Sequence, residues 1–256
     1  MESKNRADTG VFIMKKFFEY HSKLDLFRPF SIEHILTIAI IITISLLLFI
    51  YRNKLEGHRK FVRYTLAFII LIANVCYHLW LVSEHAWSVK RALPLQLSDL
   101  SALLAVVMLW TRSDRIFQFM YFAGLGSAIQ AIVTPDLYHF SFPHFLYFQS
   151  FVSHGGVVLA CLFMVVAFSC RPSIRSLWVS VLIVDLYALV VFFINKRLDS
   201  NYMYMMKKAG MNTILNLLGP WPWYYLSVEI VMIVSFYLLY SPFWIKSKFE
   251  KRKTAF

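Results

Sequence analysis

Charge is scarce in this chain: Asp, Glu, Lys and Arg make up 16% of its residues, against roughly 25% in a soluble domain. With 59% hydrophobic residues and a mean hydropathy of +0.60, that scarcity excludes an ordinary water-soluble domain. Cysteine is scarcer still. Cys76, Cys161 and Cys170 lie inside or at the ends of apolar runs without CxxC spacing, so neither a disulfide framework nor a zinc site is indicated. Eight glycines and eight prolines are too few for a fibrous or low-complexity chain. No internal repeat is visible, which weakens the case for a transporter built from duplicated halves. No nucleotide loop or haem motif is present, and no cofactor is expected. Acidic residues are the minority, 14 against 26 Lys and Arg, for a formal charge of +12. The basic residues sit between and beyond the apolar runs, so membrane lipids are the expected partner and nucleic acid is not.

Long apolar stretches are what the chain has in abundance. At about 1.5 Å per helical residue and about 30 Å of hydrocarbon, seven stretches predict membrane helices: 32–51, 61–83, 93–111, 115–134, 147–169, 173–195 and 222–244. The expected fold is all-α, a polytopic bundle of about seven transmembrane helices spanning 31–245. An amphipathic, basic segment (1–30) precedes it and a basic cytoplasmic tail (246–256) follows. A cleaved signal peptide is not expected, because the polar region is about twice the usual length and no small-residue cleavage site follows the first apolar run. Orientation follows Lys and Arg. With the N-terminus outside, the cytoplasmic segments hold the clusters Arg52–Arg63, Arg112/Arg115, Arg171/Arg175 and Lys246–Lys253, whereas the opposite loops hold only Lys90, Arg91, Lys196, Arg197, Lys207 and Lys208. The N-terminal tail is itself basic and argues the other way; the loops favour N-outside, C-inside.

Polar groups at membrane depth are costly and are kept where they face a cavity or one another. The second span carries Asn74 and His78, the third Gln96, Ser98 and Asp99, the fifth Gln149, Ser150, Ser153 and His154, the sixth Asp185, and the seventh Tyr225 and Glu229. His78, Asp99, His154 and Glu229 each fall about 8–11 Å from the same end of their helices, which predicts a polar chamber in the half nearer the N-terminal side. Asn74, His78, Gln96, Gln149, Asp185 and Tyr225 are expected to line it. Gly155 and Gly156 beside His154 leave open space or allow backbones to approach closely. Ser98 and His154 supply the types needed for a hydroxyl nucleophile and a general base, with Asp99 or Glu229 as a more distant orienting group. Ser98 and Asp99 project about 100° apart, so a linear triad does not fit and a dyad does. No His and carboxylate stand at i,i+3 or i,i+4 on one helix, so no metal is assigned. Two connections on the chamber side complete the picture. The 134–146 segment holds Asp136, His139 and His144 among aromatics, and 196–221 holds Asn201, Lys207, Lys208, Asn212 and Asn216; with Trp223, they are expected to cap the chamber.

Several short runs carry a resemblance: Leu93-Pro94-Leu95-Gln96-Leu97-Ser98, Phe117-Gln118-Phe119, Tyr121-Phe122-Ala123-Gly124, Thr134-Pro135-Asp136, Phe142-Pro143-His144-Phe145, His154-Gly155-Gly156 and Leu218-Gly219-Pro220-Trp221-Pro222-Trp223-Tyr224. Together, over roughly 30–244, they resemble the YwaF family of bacterial integral membrane proteins, which is distantly similar to the transmembrane protein 164 family. The resemblance implies a multi-pass protein of a bacterial plasma membrane. The more distant relatives imply phospholipid acyl transfer through an intramembrane Cys and His, and His154 matches the suspected catalytic histidine. The chain departs from the family pattern at Gln96, where the pattern has His, and at Ser98, where it has Cys. Serine needs a stronger base than cysteine, because its hydroxyl is far less acidic than a thiol. Three functions stay open: a lipid-directed acyltransferase or hydrolase, a binding or transport protein for a polar solute, ion or lipid headgroup, and a structural membrane protein.

Overall fold

The computed structural model describes residues 17–21, 24–208, 218–220 and 222–253. Asn212, Asn216, Trp221, most of the N-terminal tail and the last three residues lie outside them. Among the described residues the fold is all-helical: α1 (Ile32–Ile50), α2 (Arg59–Ser83), α3 (Leu97–Thr111), α4 (Asp114–Val133, with a π-helical turn at Met120–Gly124), α5 (Phe145–Phe168), α6 (Ile174–Leu198) and α7 (Tyr224–Lys253). Six are long and apolar enough to cross a membrane. The seventh, α3, has 15 residues and so measures about 22 Å.

Helix α5 is the hub and packs against α1, α2, α3 and α4. It carries the largest share of the core, including Phe151, Val157, Cys161, Phe163 and Met164. Its glycines explain the fit. A Cβ on Gly156 would stand 2.6 Å from Cγ1 of Ile70 on α2, and one on Gly155 would stand 3.2 Å from Cδ1 of Ile41 on α1. Of the two roles open to this pair, close helix approach is the one observed, with isoleucine side chains filling the notch. Helix α1 is the opposite case, because only His34 is buried on it and residues such as Ile35, Leu36, Ile40 and Leu47 present an apolar outer face suited to lipid.

Two local irregularities are satisfied by side chains. Pro242 lies inside α7 and leaves the Leu238 carbonyl without its helical N–H. Ser241 Oγ donates to that oxygen at 2.8 Å, and Tyr121 Oη donates to the neighbouring Leu239 carbonyl at 3.0 Å. At the end of the bundle where α4 and α6 begin, Gln118 donates to the Arg171 carbonyl (2.8 Å) and accepts from Ser173 N and Ser176 Oγ (3.1 and 2.6 Å).

At the other end, residues 24–30 are irregular rather than helical and lie over the bundle. Phe27 N donates to the Tyr138 carbonyl at 2.7 Å, and the Trp80 indole donates to the Phe18 carbonyl at 2.6 Å. His34 Nε2 donates to the Ile132 carbonyl while Nδ1 accepts from Phe30 N, so this buried imidazole fastens the chain entry to α4.

Candidate functional site

Helix α3 starts at Leu97, four residues later than expected, because of Pro94. Proline lacks an N–H and disfavours helix in the residue before it. The extended run before α3 carries polar backbone groups into the bundle, and tyrosines from distant elements satisfy them. Tyr202 Oη accepts from Leu93 N (3.0 Å) and donates to the Val89 carbonyl (2.8 Å), and Tyr187 Oη donates to the Leu95 carbonyl (3.1 Å). Gln96 Oε1 accepts from Met203 N at 2.8 Å. Gln96 is therefore spent on backbone, makes no side-chain cap, and leaves the N–H groups of Leu97 and Ser98 without an acceptor among the described residues.

This start of α3 forms one wall of a cavity of about 370 Å³. Helix α4 and its exit contribute Ala123, Ser127, Gln130, Thr134 and Asp136, α5 contributes Ser150 and His154, and the connection after α6 contributes Met203, Tyr204 and Leu218. Val184 of α6 and Val228, Val231, Met232, Ser235 and Phe236 of α7 close the remaining side. The cavity is graded. Gln96, Ser98, Gln130, Thr134, Asp136 and Tyr204 lie toward the helix ends, whereas Ala123, Val184, Val231, Met232 and Phe236 lie at mid-bundle depth.

The rim is tied from several directions. Tyr204 Oη donates to Asp136 Oδ2 at 2.6 Å, while the Tyr204 and Met205 carbonyls accept from the Tyr224 and Tyr225 hydroxyls. Burial, and then the charge and hydrogen bond of Asp136, hold the Tyr204 hydroxyl well above its ordinary pKa, so the proton stays on the tyrosine. Met203 and Tyr204 both adopt left-handed backbone (φ 55° and 53°), a conformation costing about 1–3 kcal/mol per non-glycine residue that these surrounding bonds enforce. Asn201 orders the same turn by accepting from Met206 N and Lys207 N and donating to the Lys207 carbonyl.

Of the residues singled out in the sequence, Ser98, Ser150, His154, Gln96 and Asp136 come together on the cavity wall. Ser98 and His154 make no hydrogen bond with each other, and His154 Nδ1 is covered and has no partner among the described residues. The other candidates do not line the cavity. Asn74 donates to Ser153 Oγ (3.2 Å) and to the Ile70 carbonyl, and Gln149 donates to the Ala73 carbonyl (3.3 Å). His78 lies against the Tyr77 ring. Asp99 faces a tyrosine shell, within electrostatic reach of Tyr77, Tyr187, Tyr202 and Tyr204. Glu229 is joined to Asp185 by a side-chain hydrogen bond that ties α7 to α6. Tyr225 is stacked on Tyr224, and Trp223 is exposed. His144 is the buried N-cap of α5: its Nδ1 accepts from Leu146 N and its Nε2 donates to the Glu19 carbonyl.

Gln130 and Ser235 are polar cavity residues that the reading of the sequence passed over. Gln130 is an amide deep within an apolar stretch and meets the same rule of membrane depth that picked out Gln149. None of the three cysteines lines the cavity, and Cys161 instead donates to the Met120 carbonyl, which also accepts from Leu125 N in the π turn. Among the described residues no group of three His, Cys, Asp or Glu side chains is placed to hold a metal ion.

Residues 29–240, covering every helix that builds the cavity, match the family model of the TMEM164 family. The chain belongs to the TMEM164 family. Comparison with curated proteins and with solved structures gives no match. The matched span begins just ahead of α1 and ends within α7, so the TMEM164 unit is the membrane bundle itself, with the cavity wholly inside it.

Proposed function

We propose that this TMEM164-family protein is a lipid-directed acyltransferase or hydrolase acting in the α3–α5 cavity, and that the bacterial YwaF proteins are its nearer kin. The observation that carries the reading is the position of Ser98: on the second residue of an uncapped helix start, in the wall that it shares with His154. In this reading Ser98 Oγ attacks an ester carbonyl of a membrane lipid and His154 removes the hydroxyl proton. The resulting oxyanion is met by the free N–H groups at the positive end of α3. The ester C–O bond then breaks, His154 returns the proton to the departing alcohol, and the acyl group passes from Ser98 to water or a second hydroxyl. A polar rim over an apolar floor suits an ester with its hydrocarbon tail. At about 370 Å³ the cavity is at the small end of ligand sites, which fits one chain segment rather than a whole lipid. Asp99 and Glu229, engaged elsewhere, act only at a distance. N-outside orientation would open the cavity to the outer leaflet of a bacterial plasma membrane.

The test uses the purified chain in mixed micelles of phospholipid and lysophospholipid, with mass spectrometry of intact protein and of lipids. Acyl-Ser98 and a transferred or released acyl chain are expected, and both should vanish in Ser98→Ala and His154→Ala variants of unchanged thermal stability. Turnover that persists in Ser98→Ala excludes this nucleophile. The missing Ser98–His154 hydrogen bond favours a second reading, a binding or transport site for a polar solute, ion or headgroup. That reading predicts stabilisation by the bound compound with no product.

A further inference from the structure

At the opposite end of the bundle from the cavity, α2 carries a buried arginine whose charge no carboxylate among the described residues pairs. Arg63 is only 6% exposed, yet its Nε and Nη1 have no hydrogen-bond acceptor among the described residues, and its guanidinium lies 4.6 Å from the centre of the Tyr64 ring. One turn earlier Arg59 repeats the pattern, with Nε covered and unpartnered and Nη2 3.4 Å from Glu56. Guanidinium cannot shed its charge. An unpaired, desolvated cation is among the costliest features a fold can hold, and a cation–π contact returns only part of that cost.

The carboxylates of the described residues at this end are taken. Glu56 is on Arg59, Asp114 is bonded to Gln118, and Glu250 is bridged to Arg171 and Lys246. Helix α2 also starts without a side-chain cap, so its positive end adds to the same field. Arg63 stands about 6 Å along the helix from Arg59, one turn inside the start of α2.

We infer that Arg59 and Arg63 form a phosphate-binding site at the start of α2, separate from the cavity, whose natural occupant is the phosphate of an anionic membrane lipid or free phosphate. A phosphate oxygen between two guanidinium groups one turn apart gives each its missing acceptor after a small side-chain rotation. Two-arginine forks suit phosphate geometry better than lysines would.

The test is thermal unfolding of the full chain in a neutral detergent, with phosphatidylglycerol and inorganic phosphate as separate probes at constant ionic strength. Wild type is expected to gain roughly 5–10 °C at a hundredfold excess over Kd of the true ligand. A shift with phosphatidylglycerol alone assigns the lipid, and a shift with inorganic phosphate assigns the free ion. Arg63→Met should lose the shift while unfolding no lower than wild type without ligand, because an uncompensated charge has gone. Arg63→Lys, which keeps the charge, should bind about tenfold more weakly through loss of the fork. The inference fails if neither probe shifts wild type, if Arg63→Met keeps the full shift, or if Arg63→Lys binds as tightly as wild type.

Discussion

Replacing Gly156 by alanine places a methyl carbon 2.6 Å from Ile70 Cγ1, about 1 Å inside an ordinary contact, against a side chain that is completely buried. Overpacking of this kind costs about 1–3 kcal/mol. Alanine also favours helix over glycine by about 1 kcal/mol, so the single variant hides the clash beneath a propensity gain. A double-mutant cycle separates them. Ile70→Ala removes Cγ1, and in that background Gly156→Ala keeps the propensity gain without the collision. The coupling energy between the two substitutions should therefore be about 1–3 kcal/mol, with the double variant more stable than the single effects predict. Reversible unfolding in mixed micelles, followed by tryptophan fluorescence, measures all four corners. A coupling below about 0.5 kcal/mol, within ordinary additivity, would refute the claim that Gly156 seats α2 on α5. Gly155→Ala meets only the outer atoms of Ile41 at 3.2–3.3 Å and should couple more weakly to its partner.

Three further outcomes follow from particular bonds. Ser241→Ala leaves the Leu238 carbonyl without its donor and should cost about 1 kcal/mol. The cost should disappear in a Pro242→Ala background, where residue 242 regains an N–H, and chemical denaturation of the four variants decides it. Desolvation holds the His144 ring below its ordinary pKa of 6.5, opposed in smaller measure by the Glu19 carbonyl and the Glu84 charge. The unfolded chain therefore binds the proton first, so stability is full above about pH 6.5 and falls as acidification charges the unfolded state. His144→Asn, which keeps an N-cap acceptor, should flatten that slope in melting curves between pH 5 and 7.5. Tyr204→Phe frees Asp136 and loosens the rim, so limited proteolysis between 199 and 208 should accelerate while the global unfolding midpoint moves little.

Hydropathy located all seven helices, because apolar length is what a bilayer selects, but two ends were set by distant partners. Residues 93–96 read as helix by composition, yet Tyr187 and Tyr202, about 92–113 positions away, supply the bonds that let this run stay extended. The last span was expected to end at 244, yet α7 runs on to Lys253, with Ser241 and Tyr121 taking up the carbonyls beside Pro242. In the site, helical depth put His78, Asp99, His154 and Glu229 at one level, and of these four His154 alone lines the cavity. Depth says nothing of azimuth between helices. Asn74 therefore bonds Ser153 instead of lining the chamber, and Glu229 met Asp185 rather than a histidine.

The central place of α5 sets an order on how the protein is made. Helices α1 to α4 leave the ribosome before the element that gives all four a common partner, and Ile41 and Ile70 have no glycine notch to fill until that element arrives. Until about residue 168 has been inserted, the first four helices have only one another and lipid to pack against. Quality control in the membrane therefore meets a half-built bundle whose polar interior groups, Asn74 among them, still lack the α5 side chains that will bond them.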